Sequence, residues 1–103
     1  MIKVSVLYPN TKDGKFNMEY YFSKHIPMIQ RKLGAACKSV SVDVGLGGAE
    51  PGSQATYIAM FHMVFDSVEA FQIAFGTHAQ AIMGDMPNYT DIQPVTQISE
   101  VKM

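Results

Sequence analysis

Along the first residues of the chain Ile2, Val4, Val6 and Tyr8 alternate with Lys3, Ser5 and Leu7, the period-two pattern of a half-buried strand. Pro9 to Gly14 carries Asn, Thr, Lys and Asp between a proline and a glycine and reads as a loop. The period then changes. Met18, Phe22, Ile26, Ile29 and Leu33 follow at spacings of four, four, three and four, which predicts a helix with one apolar stripe. Pro27 lies inside it; its missing N–H and crowded ring predict a kink or a break there. Gly34 suits the end of the helix. A second alternation, Val40, Val42, Val44 and Leu46 against Ser39, Ser41, Asp43 and Gly45, predicts a second strand. The glycine-rich stretch Gly45 to Gly52 then turns the chain into a third strand, about residues 55–65. Its two faces are both largely apolar: Tyr57, Ala59, Phe61 and Met63 on one, Ile58, Met60 and Val64 on the other. Asp66-x-x-Glu69 matches a capping box, and Val68, Phe71, Phe75, His78 and Ile82 form a second helical stripe. After the loop Gly84 to Asp91, a last strand is expected near Pro94 to Val101.

The element order is βαββαβ, an α+β ferredoxin-like arrangement of four antiparallel strands with two helices on one face. It forms one domain over residues 1–103 and leaves the other sheet face bare. A strand apolar on both sides is ordinarily covered on both, and no further element remains to cover this one. A second copy of the chain would, because a symmetric homodimer buries the same patch twice.

Composition narrows the partners. A net charge of −1 with 17% charged residues offers no basic cluster for phosphates, so nucleic acid is not an expected partner. No long apolar run and no signal peptide are evident, which predicts a soluble, cytoplasmic chain with no membrane role. Cys37 is the single cysteine, so no internal disulfide forms, and it reads as a small packed residue at the start of the second strand. Eight methionines and no tryptophan fit either simple core filling or an adaptable apolar pocket.

The chemistry concentrates in Tyr20, Tyr21, His25 and Pro27. Tyr21 and His25 are four apart and therefore share a side of the helix. A phenol one turn from an imidazole serves proton transfer or polar recognition, unless both merely border the core. Because Met18, Phe22, Ile26, Ile29 and Leu33 complete the stripe without it, His25 is expected beside the core, facing a cavity. His62 lies among Ile58, Met60 and Val64 and reads as a hydrogen-bonded core or interface histidine. His78 falls on the second stripe; it either packs structurally or reaches inward beneath the sheet. No His-x3-His pair or carboxylate triad marks a metal site, and no motif supports haem ligation. Gly45-Leu-Gly-Gly-Ala-Glu50 lacks the third glycine and the following helix of a nucleotide loop. Covalent nucleophilic catalysis has no motif either. Asp85, Tyr89, Thr90 and Asp91 make a second polar cluster that forms a turn or completes a pocket wall.

The first strand, the segment Phe16 through Tyr20-Tyr21-x-x-x-His25-x-Pro27, then Phe65-Asp-Ser-x-Glu-Ala-Phe71 and Asp85-x-x-x-Tyr89-Thr90 together resemble the EthD family, named for ethyl tert-butyl ether degradation. The resemblance spans essentially the whole chain; Tyr-Tyr-x3-His-x-Pro is its most specific part. It implies a dimeric α+β barrel, in which two sheets pack face to face and each subunit keeps a pocket between sheet and helices. That superfamily includes cofactor-free monooxygenases, polyketide cyclases, lactone isomerases and haem-degrading enzymes, and EthD-type proteins accompany an oxidative degradation system. Two functions follow as expectations. One is an enzyme without metal or organic cofactor, of oxidoreductase or isomerase/cyclase type, acting on an apolar or aromatic oxygenated compound. In it His25 and Tyr21 carry the chemistry, while Tyr20, His78, Asp85 and Tyr89 contact substrate. The other is a non-catalytic accessory protein that carries a hydrophobic intermediate for a partner oxygenase.

Overall fold

A computed structural model describes residues 1–103, and its strands follow the predicted order. They are β1 (Ile2–Pro9), β2 (Ser39–Val44), β3 (Tyr57–Phe65) and β4 (Val95–Glu100). They form one sheet in the order β2-β3-β1-β4, and every neighbouring pair is antiparallel. This is the ferredoxin-like α+β fold. Both helical segments lie on one face of the sheet. The first runs α1 (Met18–Tyr20), a π-helical turn Tyr21–His25, then α2 (Ile26–Leu33). The second is α3 (Val68–Gly84).

Register decides what each sheet face carries. Val4 pairs with Met63 and Ile98, and Ser5 pairs with His62 and Gln97. Val4, Tyr8, Ala59, Phe61, Met63 and Phe65 are buried beneath the helices, which contribute Tyr21, Ile26, Ile29, Leu33 and Ile82 to the same core. Burying a side chain such as Phe61 or Phe65 stabilises the fold by about 1.5–3 kcal/mol. The opposite face carries Ser5, Leu7, Ile58, Met60, His62 and Val64. There the Ser5 hydroxyl meets His62 Nδ1 at 2.8 Å, so His62 is hydrogen-bonded on the uncovered face.

The first helical segment departs from the expected stripe. Phe22, predicted inside, is 44% exposed, while Tyr21 is 0% and His25 2% exposed. The cause is the π turn. Ile26 donates its N–H to the Tyr21 carbonyl, five residues back, so the residue one turn before Ile26 is Tyr21 rather than Phe22. His25 consequently belongs to the core instead of bordering it. Pro27 sits in the first turn of α2. It has no N–H to give and its ring crowds the turn before it, and a widened turn accommodates both without breaking the helix. Gly34 closes α2 at φ 57, a conformation costly for any residue with a Cβ.

Two boundaries also shift. The N-cap of α3 is Ser67, whose hydroxyl accepts from the Ala70 N–H at 3.0 Å, rather than Asp66. Asp66 instead faces Lys38 at the surface, 3.7 Å away. β3 starts at Tyr57, two residues later than the alternation implied. Cys37 precedes β2, half-buried, with its thiol donating to the Ser39 carbonyl at 3.5 Å; burial pushes that thiol's pKa up. No helix is long and apolar enough to cross a membrane.

Candidate functional site

Two distant segments meet at the π turn. After α3 the chain makes a short 3-10 turn, Met86–Asn88, which presents Asp85, Asn88 and Tyr89 to the first helical segment. The Asn17 N–H donates to the Tyr89 carbonyl at 2.7 Å, and the Thr90 hydroxyl donates to the Lys15 carbonyl at 2.6 Å. Asp91 accepts from the Lys15 N–H at 2.8 Å. Thr90 and Asp91 therefore fasten this segment, and Asp85 and Tyr89 are left to face His25.

A continuous hydrogen-bonded chain results. The Tyr8 and Tyr89 hydroxyls are 2.8 Å apart, and the Tyr89 hydroxyl lies 3.3 Å from His25 Nε2. His25 Nδ1 lies 2.9 Å from Asp85 Oδ2. The other carboxylate oxygen accepts from the Tyr20 hydroxyl at 2.6 Å and from Asn88 Nδ2 at 2.9 Å. Burial pushes the Asp85 carboxyl up, but these donors together with His25 outweigh it and hold the pKa below its ordinary value. Burial lowers the His25 pKa more than Asp85 raises it. The ground state is therefore a neutral imidazole against a carboxylate. Burial pushes the phenols of Tyr8, Tyr21 and Tyr89 upward, so these stay protonated at neutral pH.

Tyr21 stacks on His25, ring centroids 5.6 Å apart at 18°, and fixes the plane of the imidazole. Its own hydroxyl is buried with no hydrogen-bond partner.

Tyr8, His25 and Tyr89 form the polar corner of a cavity of about 230 Å³ between the sheet and α3. Fifteen residues line it and twelve are hydrophobic, among them Phe61, Met63, Phe71, Ile82 and Met86. Tyr20 lies outside this cavity, behind Asp85, where a surface groove also exposes Lys24 and Arg31. Five of the predicted residues, Tyr20, Tyr21, His25, Asp85 and Tyr89, thus gather in one cluster. His78 does not: it is half-buried on α3, outside the cavity lining. Tyr8 and Asn88 join the site without having been singled out. Tyr8 carried a usable signal, a phenol on the inward parity of a strand whose other inward residues are aliphatic. No three His, Cys, Asp or Glu side chains gather as metal ligands.

Fold and site together define a ferredoxin-like α+β protein with an apolar cavity closed by a Tyr-Tyr-His-Asp hydrogen-bonded corner. The EthD domain model matches residues 13–93, and the chain belongs to the EthD family. It is similar to the solved structure of an EthD-like protein of Ralstonia eutropha JMP134, at 44% identity over 99% of this chain and 92% of that one, with a TM-score of 0.95. An ethyl tert-butyl ether degradation family protein of Bacillus halodurans C-125 is 22% identical over 99% of both chains, TM-score 0.68. A dimeric protein of unknown function from Bacteroides fragilis, described as having a ferredoxin-like fold, is 17% identical over 97% of this chain and 95% of that one, TM-score 0.61. No curated protein matches the chain.

Proposed function

We propose that the cavity binds a small apolar or aromatic molecule carrying oxygen, and that His25 is its acid–base group. The observation that supports this reading most is the polar corner: a cavity with Thr96 as its one polar lining side chain elsewhere meets an imidazole whose far nitrogen is hydrogen-bonded to a carboxylate. Asp85 orients the ring and stabilises the imidazolium that forms when Nε2 takes a proton. Tyr20 and Asn88 orient Asp85 in turn. Such general acid–base catalysis contributes roughly 10²- to 10⁴-fold to a rate. It suits isomerisation, cyclisation or cofactor-free oxidation, all of which begin by moving a proton. Carriage of a hydrophobic intermediate for a partner oxygenase is the second reading, and the three methionines Met63, Met83 and Met86 in the lining favour it, because such side chains adapt to varied ligands.

The working form in this proposal is a homodimer through the uncovered sheet face, where Leu7, Ile58, Met60 and Val64 lie around the Ser5–His62 pair and Val95 is 52% exposed. Light scattering at micromolar concentration reads this directly, and a monomeric mass removes it.

The test of function is His25→Gln, which keeps an N–H for Asp85 and an oxygen for Tyr89 while removing the titrating proton. The ligand carried by the purified protein is first identified by native mass spectrometry. Enzymatic action is supported if the variant melts within a few degrees of the parent and loses at least about tenfold in turnover, about 1.4 kcal/mol. Unchanged binding with no turnover in either protein supports carriage.

A further inference from the structure

The directions of the hydrogen bonds at the polar corner can be assigned, and they select among ligands. Asp85 Oδ1 receives two donors, Tyr20 and Asn88, so the group is an acceptor-only carboxylate. His25 Nδ1 must then carry the hydrogen that bridges to Oδ2. In the neutral ring Nε2 is left as an acceptor, and the Tyr89 hydroxyl donates to it. A phenol has one hydrogen. Having given it to Nε2, Tyr89 meets Tyr8 with its oxygen, and Tyr8 donates to Tyr89. Tyr8, the last member of the chain and a wall of the cavity, has no hydrogen left to offer. The Tyr21 hydroxyl, buried beside it, interacts with the Tyr8 oxygen from the core side without forming a hydrogen bond of good geometry, and the phenol oxygen keeps a second lone pair free. Tyr8, a cavity-lining residue, is therefore the terminus of the chain.

Resting on the cavity reading above, we infer that at neutral pH the Tyr8 corner of this site selects a neutral hydrogen-bond donor, a single-ring phenol, enol or alcohol, over ethers and carbonyl compounds of the same shape; Thr96 is the one hydroxyl in the lining outside that corner. A cavity of about 150 Å³ admits benzene, so the 230 Å³ here fits one ring with one or two small substituents. No cationic side chain lines it, which leaves an anionic ligand without a partner and opposed by Asp85.

The same directions define a proton path. A ligand O–H bond breaks as its proton passes to the Tyr8 oxygen, the Tyr8 proton passes to Tyr89, and the Tyr89 proton forms the N–H bond on His25 Nε2. The electron pair stays on the ligand oxygen as an alkoxide, phenolate or enolate, and one proton has moved in total. Afterwards both bonds between Nε2 and Tyr8 point the other way, while Asp85 keeps its donors. Nε2–H donates to Tyr89, Tyr89 donates to Tyr8, and Tyr8 turns a hydrogen toward the cavity, aimed at the oxygen now bearing charge. Acid does the same without a ligand. The ionisable groups facing His25 are Tyr21 from its own helix, Tyr89 and Asp85 from the segment after α3, and Tyr8 beyond Tyr89 on β1. Of these only Asp85 is charged at neutral pH. Protonating His25 therefore makes Tyr8 a donor and shifts preference toward acceptor ligands.

The experiment uses ¹⁵N-labelled protein and three probes of nearly equal shape: para-cresol as donor, 4-methylanisole as acceptor, and para-xylene as neither. Long-range ¹H–¹⁵N spectra at pH 7.5 are expected to show His25 protonated on Nδ1. Titration is expected to show para-cresol binding at least about tenfold more tightly than either other probe. Tyr8→Phe should erase that advantage, and lowering the pH through the His25 titration should narrow it. An Nε2–H tautomer overturns the inference, as does 4-methylanisole or para-xylene binding as tightly as para-cresol at pH 7.5. If none of the three probes perturbs cavity resonances, the cavity reading itself falls and this inference with it.

Discussion

Replacing Tyr21 by phenylalanine removes a single oxygen from a fully enclosed side chain, and the structure predicts that the protein becomes more stable. Tyr21 is 0% exposed and its hydroxyl, although near the Tyr8 oxygen, makes no hydrogen bond of good geometry. Leaving such a group dry and unpaired costs about 1–3 kcal/mol relative to water. Removing it leaves a gap of roughly 10 Å³, which at about 24 cal/mol per Å³ costs only a few tenths of a kcal/mol. The ring stack on His25 and the edge contacts with Tyr8 and Phe16 are retained. The net expectation is a gain of about 1–2 kcal/mol. For a domain near 100 residues each kcal/mol moves Tm by about 4–8 °C. Thermal and urea melts at pH 7.5 and one fixed protein concentration measure it. Tyr89→Phe is the contrast, since that hydroxyl bridges Tyr8 and His25 and its loss should destabilise by about 1–3 kcal/mol. A Tyr21→Phe variant destabilised by 1 kcal/mol or more refutes the reasoning, for it would mean that the hydroxyl is satisfied in solution.

Three further outcomes are expected. The His25 pKa is lowered by burial, so between the folded value and the unfolded value of about 6.5 the unfolded chain holds the extra proton. Stability is thus complete above about pH 6.5 and falls as pH drops through that window, by at most about 1.4 kcal/mol per pH unit; urea midpoints from pH 8 to 5 should show the slope, and His25→Gln should lack it. Met60→Lys, on the uncovered sheet face, should yield a folded monomer by light scattering with an unchanged circular dichroism spectrum; a persisting dimer would place the interface elsewhere. Cys37→Ser should keep the oligomeric state and ligand binding with a Tm loss of a few degrees, and a functional defect in a folded variant would expose a thiol role.

All four strands were legible because alternation in a sheet is local: Val4 and Tyr8, or Phe61 and Met63, declare their face two residues at a time. The first helix was not, because its stripe was read at one constant pitch. A π turn of five residues has no signature in hydropathy, and Phe22 is at least as apolar as Tyr21, which takes its place inside. Pro27 did register as a disturbance, but whether a helix answers a proline by breaking or by widening depends on what packs against it. Tyr21, His25, Asp85 and Tyr89 were found because phenol, imidazole and carboxylate stand out in apolar surroundings. Their order in the chain, Tyr8 to Tyr89 to His25 to Asp85, is a tertiary fact: it joins residues up to 81 positions apart. The shift of the α3 cap from Asp66 to Ser67 has the same origin, since both residue types cap well and only the exit angle of β3 chooses between them.

The π turn makes this site depend on counting rather than on spelling. Ser23 and Lys24 are exposed within it, and exchanging either for another polar residue alters nothing the cluster needs. Deleting either one would remove the extra residue and close the segment to a regular α-helix in which Tyr21 stands four residues before Ile26, so Tyr21 would keep its place. The chain at its present length has no such freedom: drawn into a regular α-helix, everything before the turn would rotate by about 100° and shift by about 1.5 Å. Phe22 would swing inward to where Tyr21 stacks on His25, and Tyr20 would leave Asp85. A relative with one residue fewer between Tyr21 and His25 would therefore align with a gap and still present the same cluster, whereas one residue more would have to be looped out or would turn the tyrosines away.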